Sequence, residues 1–168
     1  MALTFKPVVT DEEIAVLAKM ANEIWHEYWP SRIGLEQTTY MVEQFQSLSA
    51  ITAAIREEGY LYWVFEDEGK LVGYTGVHPE EENGKLFISK IYLFATERGK
   101  GFASEAIAFL EDLCQKRNFD AMYLTVNKDN ELAKTAYFAK GFTIIDEVTK
   151  PIGEGFYMYD LIMEKKLA

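Results

Sequence analysis

The sequence predicts a single α/β (α+β) domain over residues 1–168: a mixed, mostly antiparallel sheet of about six to seven strands with helices on both faces. Three observations predict it. Residues 10–58 carry apolar side chains at helical spacing. From Tyr60 the texture changes to aromatic and β-branched runs broken by short polar turns. Beyond Lys85, strand-like and helix-like segments alternate, an order that lays helices on the faces of a sheet. A chain of 168 residues, 49% hydrophobic and 14% aromatic, can close one sizeable core.

Taken in order, Thr10-Asp11-Glu12-Glu13 has the form of a capping box, in which the Thr and Glu side chains each satisfy a free backbone donor. Ile14, Leu17, Ala18, Ala21, Ile24 and Trp25 then recur on one face, so a first helix should run to about Tyr28, where Trp29-Pro30 interrupts it. A second helical pattern covers 35–46, and a third covers 49–58 with Gly59 as its stop. Tyr60–Glu66 reads as a strand, Asp67–Lys70 as a turn and Leu71–His78 as the hairpin partner. A polar loop over 79–84 leads to a longer strand over 85–94. Ala103, Ala106, Ile107, Leu110 and Leu113 share one face of a long helix from about Gly101 to Arg117. A strand over 121–126, a helix over 131–140 closed by Gly141, and two last strands over 142–147 and 156–164 complete the pattern.

The net charge is −10, from 27 acidic and 17 basic residues. Such a surface repels nucleic acid and anionic membranes and attracts cationic solutes, so neither nucleic acid nor membrane is expected as a partner. No run approaches the ~20 apolar residues of a spanning helix. The segment from Met1 to Pro7 lacks the features of a signal peptide. The sole cysteine, Cys114, cannot form an internal disulfide and reads as a buried thiol. A cytoplasmic protein is expected, with a homodimer open to it.

The most informative stretch is Ile91-Tyr92-Leu93-Phe94-Ala95-Thr96-Glu97-Arg98-Gly99-Lys100-Gly101-Phe102-Ala103-Ser104, a strand running through a glycine-rich turn into a helix. Glycines let backbone N–H groups converge, the helix N-terminus adds partial positive charge, and Arg98 and Lys100 add formal charge. Together they make a seat for a pyrophosphate. An ordinary strand-to-helix turn with solvated basic residues would share these features. A Walker loop and the Gly-x-Gly-x-x-Gly dinucleotide fingerprint both fail to match.

The segment resembles the signature Arg/Gln-x-x-Gly-x-Gly/Ala of the GCN5-related N-acetyltransferase (GNAT) family, with Arg98, Gly101 and Ala103 in register. The resemblance implies a GNAT-like domain that uses acetyl-CoA as acetyl donor and needs no metal. It implies that the backbone of Ile91 and Leu93 holds the pantetheine arm. The turn Arg98, Gly99, Lys100, Gly101, Phe102, Ala103 and Ser104 would hold the pyrophosphate. Downstream, Leu124–Asn130, Ala133, Ala136-Tyr137-Phe138 and Lys140-Gly141-Phe142 resemble the second signature of the family. By that match Asn130 contacts the cofactor and Tyr137 sits beside its sulfur, where a phenol can protonate the departing thiolate. A lone tyrosine on a helix would more often simply pack, and Asn127 and Asn130 also suit helix caps. The ending Asp160-Leu161-Ile162-Met163 resembles PaiA-type polyamine acetyltransferases.

The acceptor is less constrained. A lysine-like ammonium, with a pKa near ~10.4, is neutral in roughly one molecule in a few thousand at pH 7, so its proton must be removed. Many relatives carry a glutamate on the strand before the glycine turn; here that strand, Leu86-Phe87-Ile88-Ser89-Lys90-Ile91-Tyr92, has no acidic residue. Glu80-Glu81-Glu82 lies upstream but reads as a solvated loop. At the end of the first helix, Trp25, His26, Glu27 and Trp29 combine a base near neutral pH, a carboxylate and two indoles that could hold an ammonium; packing of the indoles on the sheet is the alternative. The expected activity is acetyl transfer from acetyl-CoA to a small primary amine or polyamine. Acetylation of a protein N-terminus or lysine, and a non-catalytic coenzyme A-binding module, are the alternatives.

Overall fold

The computed structural model describes residues 3–167; Met1, Ala2 and Ala168, at the ends of the expected domain, lie outside the described residues. Seven strands follow the order β1-β2-β3-β4-β5-β7-β6 in one mostly antiparallel sheet. They are β1 (Thr4–Pro7), β2 (Leu61–Asp67), β3 (Lys70–Glu80), β4 (Lys85–Leu93), β5 (Ala121–Asn127), β6 (Thr143–Gly153) and β7 (Phe156–Lys166). The helices are α1 (Asp11–Tyr28), α2 (Pro30–Ile33), α3 (Leu35–Met41), α4 (Leu48–Arg56), α5 (Phe102–Lys116) and α6 (Glu131–Ala139). Helix α3 runs on into a π turn, Val42–Gln46, and a 3-10 turn, Ala95–Glu97, follows β4. Two compact units make up the chain: Met1–Val77 with Lys90–Ala106, and His78–Ser89 with Ile107–Ala168.

In the first unit, the capping box forms as the sequence predicts. Thr10 Oγ1 accepts from the Glu13 N–H at 3.1 Å, and Glu13 Oε1 accepts from the Thr10 N–H at 2.8 Å. Helix α1 then buries Ile14, Leu17, Ala21 and Ile24 against Ile51 of α4 and against Tyr62, Val64 and Tyr74. Phe65 points to the opposite face of β2, as strand alternation requires, and packs with Leu3, Val72, Leu93, Phe102 and Ala106. Val72 reaches that second cluster because the β2–β3 register passes from Phe65↔Gly73 to Glu66↔Leu71, leaving Val72 as the extra residue of a bulge. Strand β1 pairs antiparallel with β2 from Thr4↔Glu66 to Pro7↔Trp63, a strand that the sequence does not announce. Four residues ending in proline carry too short an alternation to be read alone.

In the second unit, the first half of β4 pairs parallel with β5 from Lys85↔Ala121 to Ile88↔Leu124. Strand β5 pairs antiparallel with β7, and β7 with β6. Strand β6 extends well past the expected 142–147, β7 covers the expected 156–164 and ends at Lys166, and the two meet at a turn where Glu154 and Gly155 both have positive φ. Cys114 is fully buried in α5, and burial pushes its thiol up to about 11, so it is inert. Of the three glutamates expected in a solvated loop, Glu80 closes β3 and accepts the Tyr123 hydroxyl at 2.6 Å. Glu81 pairs with Arg117 at 2.9 Å.

Candidate active site

The glycine-rich turn forms between β4 and α5 in the first unit. Gly99 and Gly101 have φ of +80° and +86°, a left-handed region that a residue with a Cβ adopts only under strain. A Cβ at either position would meet nothing within 4 Å, so backbone geometry alone requires these glycines and the space before them is open. Phe102, the first residue of α5, is buried among Leu93, Phe65 and Val72 and fixes the helix start. Lys100 is exposed, and Ala103 and Ser104 are half-buried in the first helical turn. An open, glycine-lined turn at a helix N-terminus fits the pyrophosphate of a coenzyme.

The charges of the turn are organised by residues that the sequence reading does not identify. Arg98 donates from Nη2 to the Leu93 carbonyl at 3.1 Å, and its guanidinium lies 4.8 Å from the Tyr28 ring centroid. Glu97 is 2% exposed and accepts from Lys70 at 2.9 Å, from Lys100 at 3.1 Å and from the Thr96 hydroxyl at 3.1 Å. The hydrogen bonds from Lys70 and then Lys100 hold its carboxyl down at about 2, against the opposing effect of burial. The turn therefore keeps a permanent carboxylate under two ammonium groups, and Lys70 joins Lys100 as a cation beside it.

The end of α1 reaches the same turn. Glu27 Oε1 accepts from the Ala95 N–H at 3.0 Å. His26 stands between the Asn22 carbonyl, 2.9 Å from Nδ1, and the Thr39 hydroxyl, 3.3 Å from Nε2. With Nδ1–H donating to the carbonyl, Nε2 accepts from Thr39. Both indoles are buried, each 4% exposed. Trp25 donates to the Tyr74 hydroxyl at 3.2 Å, and that hydroxyl donates to Gln46 at 2.9 Å. Trp29 packs 5.5 Å from Trp25, but its Nε1 is buried without a hydrogen-bond partner.

The second signature lies in the second unit. Asn127 Oδ1 accepts from the Asp129 N–H at 2.9 Å, and Asn130 caps α6 by accepting from the Ala133 N–H at 3.2 Å. Only the carboxamide oxygen of Asn130 is used there, which leaves its NH₂ for a ligand. Tyr137 is half-buried on α6, its ring edge-on to Phe142 at 5.5 Å. Lys128 pairs with Glu147 at 2.7 Å. No group of metal-ligating side chains occurs among the described residues.

Comparison with known proteins gives consistent matches. The model of the acetyltransferase (GNAT) family matches residues 21–142. The chain is 25% identical over 140 residues to the uncharacterized N-acetyltransferase YjgM of Escherichia coli (strain K12), covering 82% of this chain and 81% of that protein. Its fold is similar to the PaiA N-acetyltransferase of Thermoplasma acidophilum, solved in complex with coenzyme A. The TM-score is 0.80 at 18% identity, over 99% of this chain and 100% of the other. A spermidine N-acetyltransferase SpeG chimera of Vibrio cholerae matches at a TM-score of 0.70 and 20% identity, over 99% of this chain and 96% of the other.

Proposed function

The chain belongs to the GNAT family of N-acetyltransferases, and from that premise we propose that it transfers acetyl from acetyl-CoA to a small primary amine or polyamine by direct attack on the thioester. The observation that carries the reading is the turn at Gly99 and Gly101: left-handed, open, and set at the start of α5. When bound, acetyl-CoA supplies the activated acyl group and a thiolate leaving group.

In this reading the N–H groups of Arg98–Ser104 hold the pyrophosphate, with Lys100 and Lys70 neutralising its charge. Ile91 and Leu93 hold the pantetheine arm through their backbone. The NH₂ of Asn130 donates to the cofactor, and the Tyr137 hydroxyl gives its proton to the departing sulfur. Trp25, His26, Glu27 and Trp29 form one wall of the acceptor site. Similarity in fold to proteins named for PaiA and for spermidine acetylation supports an amine acceptor. The charge of −10 supports a cationic one. The same charge argues against nucleic-acid and membrane partners, and a cytoplasmic location and a homodimer complete the proposal.

The test is a thermal shift with acetyl-CoA, followed by free-thiol release across amines and peptides. Stabilisation by acetyl-CoA with thiol release by spermidine-like amines is expected. Thiol release only with peptides would replace the small-amine acceptor by a protein. Binding without any release would leave a coenzyme A-binding module.

A further inference from the structure

One largely buried amine has no part in the site described so far. Lys90 lies on β4 immediately before Ile91, and its Nζ stands 5.5 Å from the ring centroids of both Tyr60 and Tyr62. The two rings are neighbours, with centroids 6.5 Å apart. Tyr62 lies over Gly76 of β3, its cross-strand partner, where a Cβ would come within 2.5 Å of the ring. The residue is 2% exposed, yet its hydroxyl has no hydrogen-bond partner. The Lys90 backbone is held by Thr75, whose hydroxyl donates to the Lys90 carbonyl at 2.6 Å.

Together these residues set a lysine amine against two aromatic rings. Ring faces attract an ammonium. The remaining need of an ammonium acceptor is a group that takes its proton, and the strand before the glycine turn carries no carboxylate for that purpose. We propose that Lys90 is the base that deprotonates the acceptor ammonium, which the Tyr60 and Tyr62 rings hold in place. The proposal rests on the reading of the chain as an acetyl-CoA-dependent amine acetyltransferase.

The environment supports the neutral form that a base requires. Burial pushes Lys90 down to about 8, and Glu58, which follows α4, opposes it. The titratable groups that face it from β2 and the residue before it are Tyr62 and Tyr60, phenols that stay uncharged at that pH. At pH 7 about a tenth of Lys90 is then neutral, far more than of an ordinary lysine. The ammonium proton passes to the Lys90 Nζ lone pair. With acetyl-CoA bound, the freed nitrogen lone pair would form the N–C bond to the acetyl carbon as the C–S bond breaks; Tyr137 would give its proton to the sulfur, and the second nitrogen proton, lost as the amide forms, would restore the Tyr137 hydroxyl. Lys90 then returns its proton to water.

The experiment compares Lys90→Met and Lys90→Arg with the parent. Arginine keeps the stem and the charge but never becomes neutral. Coenzyme affinity in calorimetry should stay within about twofold for both, which also reports that both are folded, while kcat/KM falls by roughly 10²-fold in both. The limb of the parent's pH profile that rises toward pH 8 should disappear. An arginine variant close to the parent would make Lys90 a structural cation and overturn the proposal. So would a loss confined to KM for amines that carry a carboxylate. A second readout needs neither coenzyme nor turnover: the pH dependence of Lys90 acetylation by acetic anhydride, followed by peptide mass mapping. A midpoint near 8 is expected, and a midpoint shared with the surface lysines would overturn the assignment. A parent that binds acetyl-CoA but releases no thiol with any amine would instead remove the enzymatic reading, and this inference with it.

Discussion

The Glu27 carboxylate accepts the Ala95 N–H at 3.0 Å, joining the end of α1 to the first residue of the turn that leads into Arg98 and Gly99. A side chain singled out for its charge thus also positions backbone. The two roles separate by substitution. Glu27→Gln keeps an oxygen for Ala95 and removes the charge, so it should raise KM for a cationic amine more than it lowers kcat. Glu27→Ala loses both and should also weaken coenzyme binding by a few-fold, about 0.5–1.5 kcal/mol for one exposed hydrogen bond. Calorimetry and steady-state kinetics on the pair check this, and equal coenzyme affinities for Ala and Gln would remove the positioning role.

Gly101 is the position at which the turn is most easily damaged. At φ +86° a side chain is strained by roughly 1–2 kcal/mol, and its methyl groups would occupy the open space where phosphates are proposed to lie. Gly101→Val should therefore leave a folded protein, by circular dichroism, with coenzyme affinity reduced at least tenfold. An unchanged affinity would move the pyrophosphate elsewhere.

Tyr137→Phe removes one hydroxyl from a half-buried ring that packs against Phe142. Packing survives, so coenzyme affinity should hold within about twofold while turnover falls by roughly 10²-fold. Turnover near that of the parent would show that water protonates the thiolate.

The Glu97 carboxyl predicts an acid limb in stability. Its folded pKa is about 2, against 4.5 for an unperturbed glutamate, chiefly through the hydrogen bonds from Lys70 and Lys100. A depressed carboxylate contributes stability that is present above pH 4.5 and is lost as the pH falls toward 2. Urea unfolding of Glu97→Gln should therefore lose part of the parent's decline between pH 4.5 and 2. Parallel curves for the two proteins over that interval would mean that the partners of Glu97 contribute nothing net.

Much of the fold is legible in the sequence because it is written in local periodicity. Helix α1 begins at its Thr10 capping box and ends at Tyr28 before Trp29-Pro30, and α5 and α6 start within a residue of their expected positions. Strands β2 to β5 appear where the aromatic and β-branched runs lie. The exceptions are β1, too short to carry a pattern, and the second half of β6. The residues of β6 are mostly exposed, so no alternation between a buried and a solvent face marks them.

The candidate site divides along the same line. The glycine turn, the Asn130 cap and the helix bearing Tyr137 are read from contiguous residues, since backbone conformation depends on neighbours in the chain. Tertiary structure alone decided what the charged and polar side chains do. It set Glu97 between Lys70 and Lys100, turned Glu27 to the Ala95 N–H, laid Arg98 against Tyr28 and the Leu93 carbonyl, and surrounded Lys90 with Tyr60 and Tyr62. Most of these partners are distant in sequence. A side chain's charge state and bonding follow from the dielectric and the donors within a few ångströms of it, and those neighbours exist only once the strands and helices have packed.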